Sequence, residues 1–496
     1  MSQRAFRFLL WGIVAIYLAL GAGYALLTPL WQAPDEPAHY NNIAHIASTG
    51  HLPVLQPGDY DQVYLEALKA AGFPPELPIE SVRYEGHQPP LYYLLMTPVL
   101  WVLQGAGLAV QVWALRLLNV GVGALVILLI WLSAKRLFPK RPRVALLAAG
   151  FVAFLPMHIA MSSAINNDAL AELFIAAVMF RLLGALSAEK TGIGAWGLTG
   201  VLIGLGLLTK FQAYILIPLA GVTWGWQMWL AWRARRFSVR LWLGGIALTL
   251  PALLMSLPWW WRNMRLYGLS DPLGLDRHNA VVVGQPRTAD WIAMQGWGAY
   301  LDRFVTFTFR SFWGVFGWMG VFMDARIYLL LTMLSLFIVA GLLFQFWRWR
   351  RGQLALSRFQ RRGLALLVLH LGVVAAAYLW YNLDFVQHQG RYFFPALLPL
   401  SVLVAGGLLG LFSPEGSRWG GVVALVLLGG WLGVGVMVGH VDKWALLLTG
   451  GGAAILFGRW RWPRGDAFWW GFTTEAGMAF IALYALLGAI LPQLGG

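Results

Sequence analysis

Cysteine is absent from the 496 residues. Disulfides and thiol chemistry are thereby excluded, and nothing is learned about redox compartment. Charge is scarce as well. Asp, Glu, Lys and Arg make up 11% of the chain, against about 25% in an average globular domain. Also missing are a P-loop, a GxGxxG after a strand, a GxSxG elbow and an HExxH pair. Nucleotide-dependent and serine-hydrolase chemistry and zinc-peptidase ligation lose their usual sequence carriers. No short internal repeat, long linker or low-complexity tail divides the chain, so residues 1–496 read as a single integrated membrane domain.

What the chain has is apolar sequence. Hydrophobic residues account for 59%, and 28 Trp and 28 Phe suit interfacial belts and lipid-facing surfaces. Repeated apolar runs near 20 residues match the span of a bilayer core. The fold class expected is an all-α polytopic membrane protein. The crossings read as 8–28, 113–134, 144–163, 169–187, 193–209, 212–231, 241–260, 327–347, 363–381, 392–412, 419–438, 443–458 and 467–490, about thirteen transmembrane helices. Residues 8–28 are too long for a signal-peptide core and read as a signal anchor.

Charge placement orients these spans. Arg4 and Arg7 precede the first and put the N-terminus in the cytoplasm by the positive-inside rule. The short loops that become cytoplasmic carry most of the Lys and Arg. Among the 21 acids they hold only Glu189, Glu415 and Asp466. The excess of +15 is therefore topology, and no nucleic-acid partner is needed to explain it. Residues 89–110 are apolar enough to cross. A crossing there would invert the downstream loops and put Lys135, Arg136, Lys140, Arg141 and Arg143 outside, so the segment reads as re-entrant or interfacial.

Two large outer segments follow, 29–112 and 261–326, while 413–496 is generic. The first opens on Asp35 and Glu36, set between Pro34 and Pro37. The prolines restrict the backbone on both sides, and a helix can start near Pro37 and stop at Gly50. A second interfacial helix is expected over about 60–71, ended by Gly72 and Pro74. The plain alternative for the acidic pair is a helix cap plus a first-turn acid.

Other reactive groups collect on the same outer face. Tyr84, Glu85, His87 and Gln88 close the first loop, and Asn166, Asn167 and Asp168 stand at the outer end of the third span. Lys210 ends the fifth, Arg262 and Arg265 follow the seventh, and Asp384, His388 and Arg391 precede the tenth. Each has a structural alternative: Asp168 as a cap, Lys210 and Arg262 as snorkelling helix ends, the histidines as interfacial residues. Glu475, inside the last span, has no assigned role. His39 and His45 leave room for a divalent metal without a ligand spacing that requires one.

Paired acids beside cations at a membrane surface suit a donor whose leaving group is a lipid phosphate. Lys and Arg hold the phosphate. A carboxylate takes the proton from an attacking hydroxyl. A transporter or flippase for a lipid-linked sugar is the second reading, although such a protein should show charged residues at the midplane. A non-catalytic partner subunit is a third.

The stretches PDEPAHY, HQPPLYYLL, NNDA, LTK, PWWWRNMRLYG and QGRYFFPALLPL resemble the GT-C glycosyltransferases. The branch is family 39-like, the protein O-mannosyltransferase and aminoarabinose transferase type, and the resemblance covers most of 1–412. It implies inverting transfer of a monosaccharide from a polyprenyl-phosphate donor to a protein, lipid or glycan acceptor. The site would lie on the extracytoplasmic face of the plasma membrane. It further implies Asp35 as general base with Glu36 beside it, Asp168 as the acid of the second outer loop, and Lys210, Arg262 and Arg391 near the phosphate. Tyr84, His87 and Gln88 join the substrate-binding set. One departure is visible: relatives place His directly before Pro-Pro, and here Gln88 intervenes after His87.

Overall fold

The computed structural model describes residues 2–187, 191–236 and 238–495 and is almost wholly helical. Glu189 lies outside the described residues. The helices run α1 Gln3–Leu27, α2 Glu36–Thr49, α3 Gln62–Ala70, α4 Leu91–Val102, α5 Leu108–Leu137, α6 Pro142–Ala153, α7 Pro156–Ser162, α8 Asp168–Ser187, α9 Ile193–Leu207 and α10 Leu216–Arg233. They continue as α11 Val239–Tyr267, α12 Leu275–Val281, α13 Thr288–Trp313, α14 Ala325–Arg350, α15 Arg358–Asp384, α16 Leu397–Leu411, α17 Pro414–Val438, α18 Lys443–Arg461 and α19 Ala467–Tyr484. A two-residue hairpin, β1 Val315–Phe316 and β2 Val321–Phe322, lies between α13 and α14.

Among the described residues, nine helices are long and apolar enough to cross a membrane, and ten if the bent pair α6–α7 counts as one. That pair turns by 64° just before Pro156, a residue suited to opening a new helix. All thirteen expected crossings fall on helix. The three beyond the ten are α9, with 15 residues, and α10 and α18, which are less apolar. The span count is thus lower by this measure than the sequence suggested.

Residues 29–112 carry short helices at the positions expected from the sequence. Helix α2 ends at Gly50, whose φ of 71° is left-handed. Helix α3 is opened by the Asp61 side chain, which accepts from Tyr64 N at 3.0 Å. Helix α4 has 12 residues, about 18 Å of rise and too short for a bilayer core of about 30 Å. It packs beneath α2, and the Trp101 indole donates to the Ala47 carbonyl at 3.0 Å. Ala38, Ile43, Leu68, Tyr92, Leu115 and Ile165 make one buried cluster that seats the loop on the ends of α5 and α8.

Below it, a larger core gathers α1, α5, α6, α8 and α16. Helices α14 and α16 cross closely. A Cβ on Gly341 would meet the Gly407 carbonyl, and one on Gly410 would meet that of Gly341. Small residues allow such contact between apolar helices. Glu475 is fully buried on α19, and its carboxyl oxygens have no hydrogen-bond partner among the described residues. It does not reach the cavity described next.

Candidate active site

A cavity of about 600 Å³ opens where α1, α9 and α15 end and α8 begins. Asp35, Asp168, Lys210 and Arg391 all line it. These chain ends therefore share one side of the molecule.

Backbone geometry separates the two adjacent acids. Asp35 has a left-handed φ of 67°, a conformation that costs an L-residue about 1–2 kcal/mol and that Asp tolerates better than most. Although Asp35 stands at the cap position of α2, its side chain makes no capping bond. It turns outward instead. Tyr84 OH donates to Oδ1 at 2.8 Å and Arg391 Nη2 to Oδ2 at 3.2 Å. Burial alone would push this carboxyl up. The Arg391 guanidinium, nearby His39 and the Tyr84 hydroxyl outweigh it and hold Asp35 below the ordinary carboxylate value.

Glu36 faces the other way and is fully buried. Its oxygens accept from Arg116 Nε at 2.8 Å and Nη2 at 2.6 Å, from Ile165 N at 3.0 Å and from Trp31 N at 3.2 Å. Arg116 spends its remaining donors on the carbonyls of Ala25, Thr28 and Pro29, at 3.0, 2.7 and 3.1 Å. All five guanidinium N–H groups are satisfied. The sequence expectation of Glu36 as a second catalytic acid is corrected on this ground: it lies outside the cavity and bolts α2 to α1, α5 and the turn before α8. Arg116 went unnoticed in the sequence, although an arginine inside an apolar run is itself a signal.

Asp168 is the first residue of α8, and its N–H is capped by the Asn166 carboxamide at 3.0 Å. Its carboxylate is thus left for Lys210, whose Nζ lies 2.7 Å away. Asn167 donates to Gln88 at 3.3 Å and to the Thr209 carbonyl at 3.0 Å, which ties the end of the first loop to α8 and to the end of α9.

The remaining first-loop groups form the cavity's wall. His87 bonds the Tyr84 carbonyl at 3.1 Å and packs on His278 and Phe211, with ring centroids 4.3 and 5.9 Å away. Burial pushes it well below the usual imidazole value, so it is neutral. His39 bonds Tyr93 OH at 2.8 Å and is also pushed down by burial. Glu85 is pushed up by burial, the opposite direction from Asp35. His39 and Glu85 line the cavity and were absent from the expected site set; their signal was position, on α2 and beside Tyr84.

Arg262 is the second correction. It lies outside the cavity and donates to the carbonyls of Leu52 and Pro53, at 3.3 and 2.6 Å, and stacks on Trp259. It fastens the first loop to α11. His388 is likewise set aside, buried edge-on to Tyr300 and Phe304. Trp318 and Met319, at the hairpin tip, line the cavity with left-handed φ of 55° and 65°. No apolar period marks such a tip. Among the described residues no group of three or more His, Cys, Asp or Glu could hold a metal ion.

Residues 87–261 match the family described as dolichyl-phosphate-mannose-protein mannosyltransferase. A 133-residue stretch is 30% identical to an undecaprenyl phosphate-alpha-4-amino-4-deoxy-L-arabinose arabinosyl transferase of Erwinia tasmaniensis. That stretch is 27% of this chain and 23% of the relative. Over 98% of its length the chain superposes on 77% of ArnT from Cupriavidus metallidurans solved with undecaprenyl phosphate, with a TM-score of 0.50 and 15% identity. The apo form of the same protein also gives 0.50, at 17% identity, over 96% of this chain and 76% of that one. The chain thus shares the fold of ArnT, and the match to the mannosyltransferase family is confined to residues 87–261. The matched segment carries His87, Gln88, Asp168 and Lys210, whereas Asp35 and Arg391 reach the same cavity from outside it.

Proposed function

We propose that this protein is an inverting glycosyltransferase that moves a monosaccharide from a polyprenyl-phosphate donor to an acceptor hydroxyl. The observation that carries the reading is the make-up of one cavity. Two carboxylates, Asp35 and Asp168, and two cations, Lys210 and Arg391, sit at its head, and its flank is an apolar face of α15. Val374, Ala377, Tyr378 and Tyr381 recur there at helical spacing. Trp380 lines the cavity and is 69% exposed on the outside of the helix bundle. A lipid tail can enter along that face while its phosphate stays at the head. The ArnT of similar fold was solved with undecaprenyl phosphate, which supports a donor of this class.

Asp35 then acts as general base on the acceptor hydroxyl. Its low pKa keeps it ionised, and its bonds to Tyr84 and Arg391 fix its direction. Lys210 and Arg391 take the donor phosphate, with Asp168 positioning Lys210. Tyr84, His87 and Gln88 shape the sugar side. The first loop and segment 261–326 serve the cavity as parts of one membrane domain, which works on the extracytoplasmic face of the plasma membrane. The acceptor hydroxyl belongs to a protein, lipid or glycan.

The test uses the full chain in nanodiscs with polyprenyl-phosphate sugars and a mixed acceptor extract. The wild type should release polyprenyl phosphate with glycosylation of an acceptor, and Asp35→Asn should not. Equal turnover by the variant removes Asp35 as base. Transbilayer movement of the donor without transfer points to the flippase reading instead.

A further inference from the structure

One polar pair beside the cavity has no part in that scheme. Glu172 lines the cavity one turn below Asp168 on α8. Its Oε2 lies 3.0 Å from Nε2 of His158 on α7. The other ring nitrogen, Nδ1, is 3.1 Å from the Val152 carbonyl. A carbonyl oxygen only accepts, so Nδ1 carries a proton. The contact between Nε2 and Oε2 then holds one further proton, on the ring or on the carboxyl.

That proton has one exit. His158 is 1% exposed, stacked on Tyr17 at 6.4 Å and met edge-on by Phe394 at 5.7 Å. Only the Glu172 carboxyl faces the cavity. Charged groups around it come from three directions: Asp168 above on α8, Lys210 after α9, and Arg391 before α16. Arg391 also touches Met161, one turn beyond His158 on α7, at 3.6 Å.

Charge balance gives the pair a task. Each cation at the head is already matched, Lys210 by Asp168 and Arg391 by Asp35. Transfer turns a phosphodiester of charge −1 into a monoester whose unprotonated form carries −2. Inside a low-dielectric cavity that second charge is costly.

Building on the transfer reading, we propose that Glu172 and His158 form a general-acid pair that hands a proton to the departing lipid phosphate. The acceptor O–H proton passes to Asp35 as the acceptor oxygen bonds the anomeric carbon. The bond from that carbon to the phosphate oxygen breaks, and its electron pair goes to the phosphate. The phosphate takes the proton of the pair and leaves as the monoanionic monoester. Asp35 then releases its proton to water, and the pair regains one through the cavity.

The experiment measures kcat against pH for the wild type, Glu172→Gln and His158→Gln, each checked for monodispersity by size exclusion. It is repeated with a thiophosphate-linked donor, whose leaving group is more acidic. The wild type should lose rate on the alkaline side as the pair loses its proton. Both variants should fall about a hundredfold in kcat, within the usual range for general acid–base catalysis. They should also lose the alkaline limb and recover most of the difference with the thiophosphate donor. If one variant fails to fold, the other carries the test. Wild-type rates and an unchanged pH profile in the variants overturn the proposal, as does a uniform loss that keeps the limb and ignores the leaving group. Transfer by the wild type in either case leaves the enzyme reading standing; no transfer by the wild type with any donor removes both.

Discussion

The wall facing the cavity and the wall behind it begin at neighbouring residues, Asp35 and Glu36, yet they are built on opposite terms. Asp35 keeps 32% of its side chain open and meets partners that a substrate can displace. Glu36 is sealed, with four donors around it and a guanidinium that has no free N–H. One left-handed residue makes the difference, because it turns the first carboxylate out of the helix axis and the second into the protein. Adjacent acids in sequence are therefore not a catalytic pair by adjacency. On the proposed reading the front wall carries the chemistry, and the back wall holds the front in position.

The sharpest way to break this comparison is Asp35→Asn. Transfer should drop by about 10²–10⁴-fold, the usual worth of a positioned base, while thermal stability in detergent stays close to wild type. Next in size is Arg116→Met, which leaves a buried carboxylate uncompensated and should cost about 3–5 kcal/mol of stability. Low yield and early unfolding are expected, read by fluorescence-detected size exclusion on heating. A stable Arg116→Met protein that merely loses turnover would reverse the roles of the two walls. Lys210→Met should raise the donor KM about tenfold, through loss of a charge-assisted bond to phosphate, with a smaller change in kcat.

Smaller effects sharpen the contrast. The Asp35 carboxyl lies below its ordinary value in the folded protein. The stabilisation from Arg391 and Tyr84 is therefore present above the unfolded value of about 3.9 and fades as pH falls through the folded one. With partial exposure discounted, it amounts to about 1 kcal/mol or less. The gap in melting temperature between wild type and Asp35→Asn should be small at pH 7 and close below about pH 4. His388→Phe should change turnover by about twofold or less, since that ring packs among aromatics outside the cavity.

Much of this was legible in the sequence, for definite reasons. Apolar run length marked the spans, Pro37 and Gly50 bounded α2, and the helix found within 89–110 is a short one of 12 residues. Lys210, Asp168 and Arg391 stood out in the sequence because charged residues at helix ends are few, and all three line the cavity. Arg262 misled because a cation at a helix end looks the same whether it faces a phosphate or the carbonyls of Leu52 and Pro53. The lock between Glu36 and Arg116 joins residues 80 positions apart, and no local pattern reports such a contact. The His158–Glu172 pair depends on the break before Pro156, which a continuous reading of 144–163 hides. The short helices α9, α10 and α18 show the limit of counting spans by run length alone.

The most direct test is a cryo-EM structure of the full chain with a non-transferable polyprenyl-phosphate sugar. The account places the phosphate within hydrogen-bond distance of Lys210 and Arg391, the tail along the Val374–Tyr381 face of α15, and Asp35 on the far side of the anomeric carbon from the phosphate. A lipid phosphate bound away from Lys210 and Arg391, or the Asp35 carboxylate on the same side of the anomeric carbon as the phosphate, would contradict it.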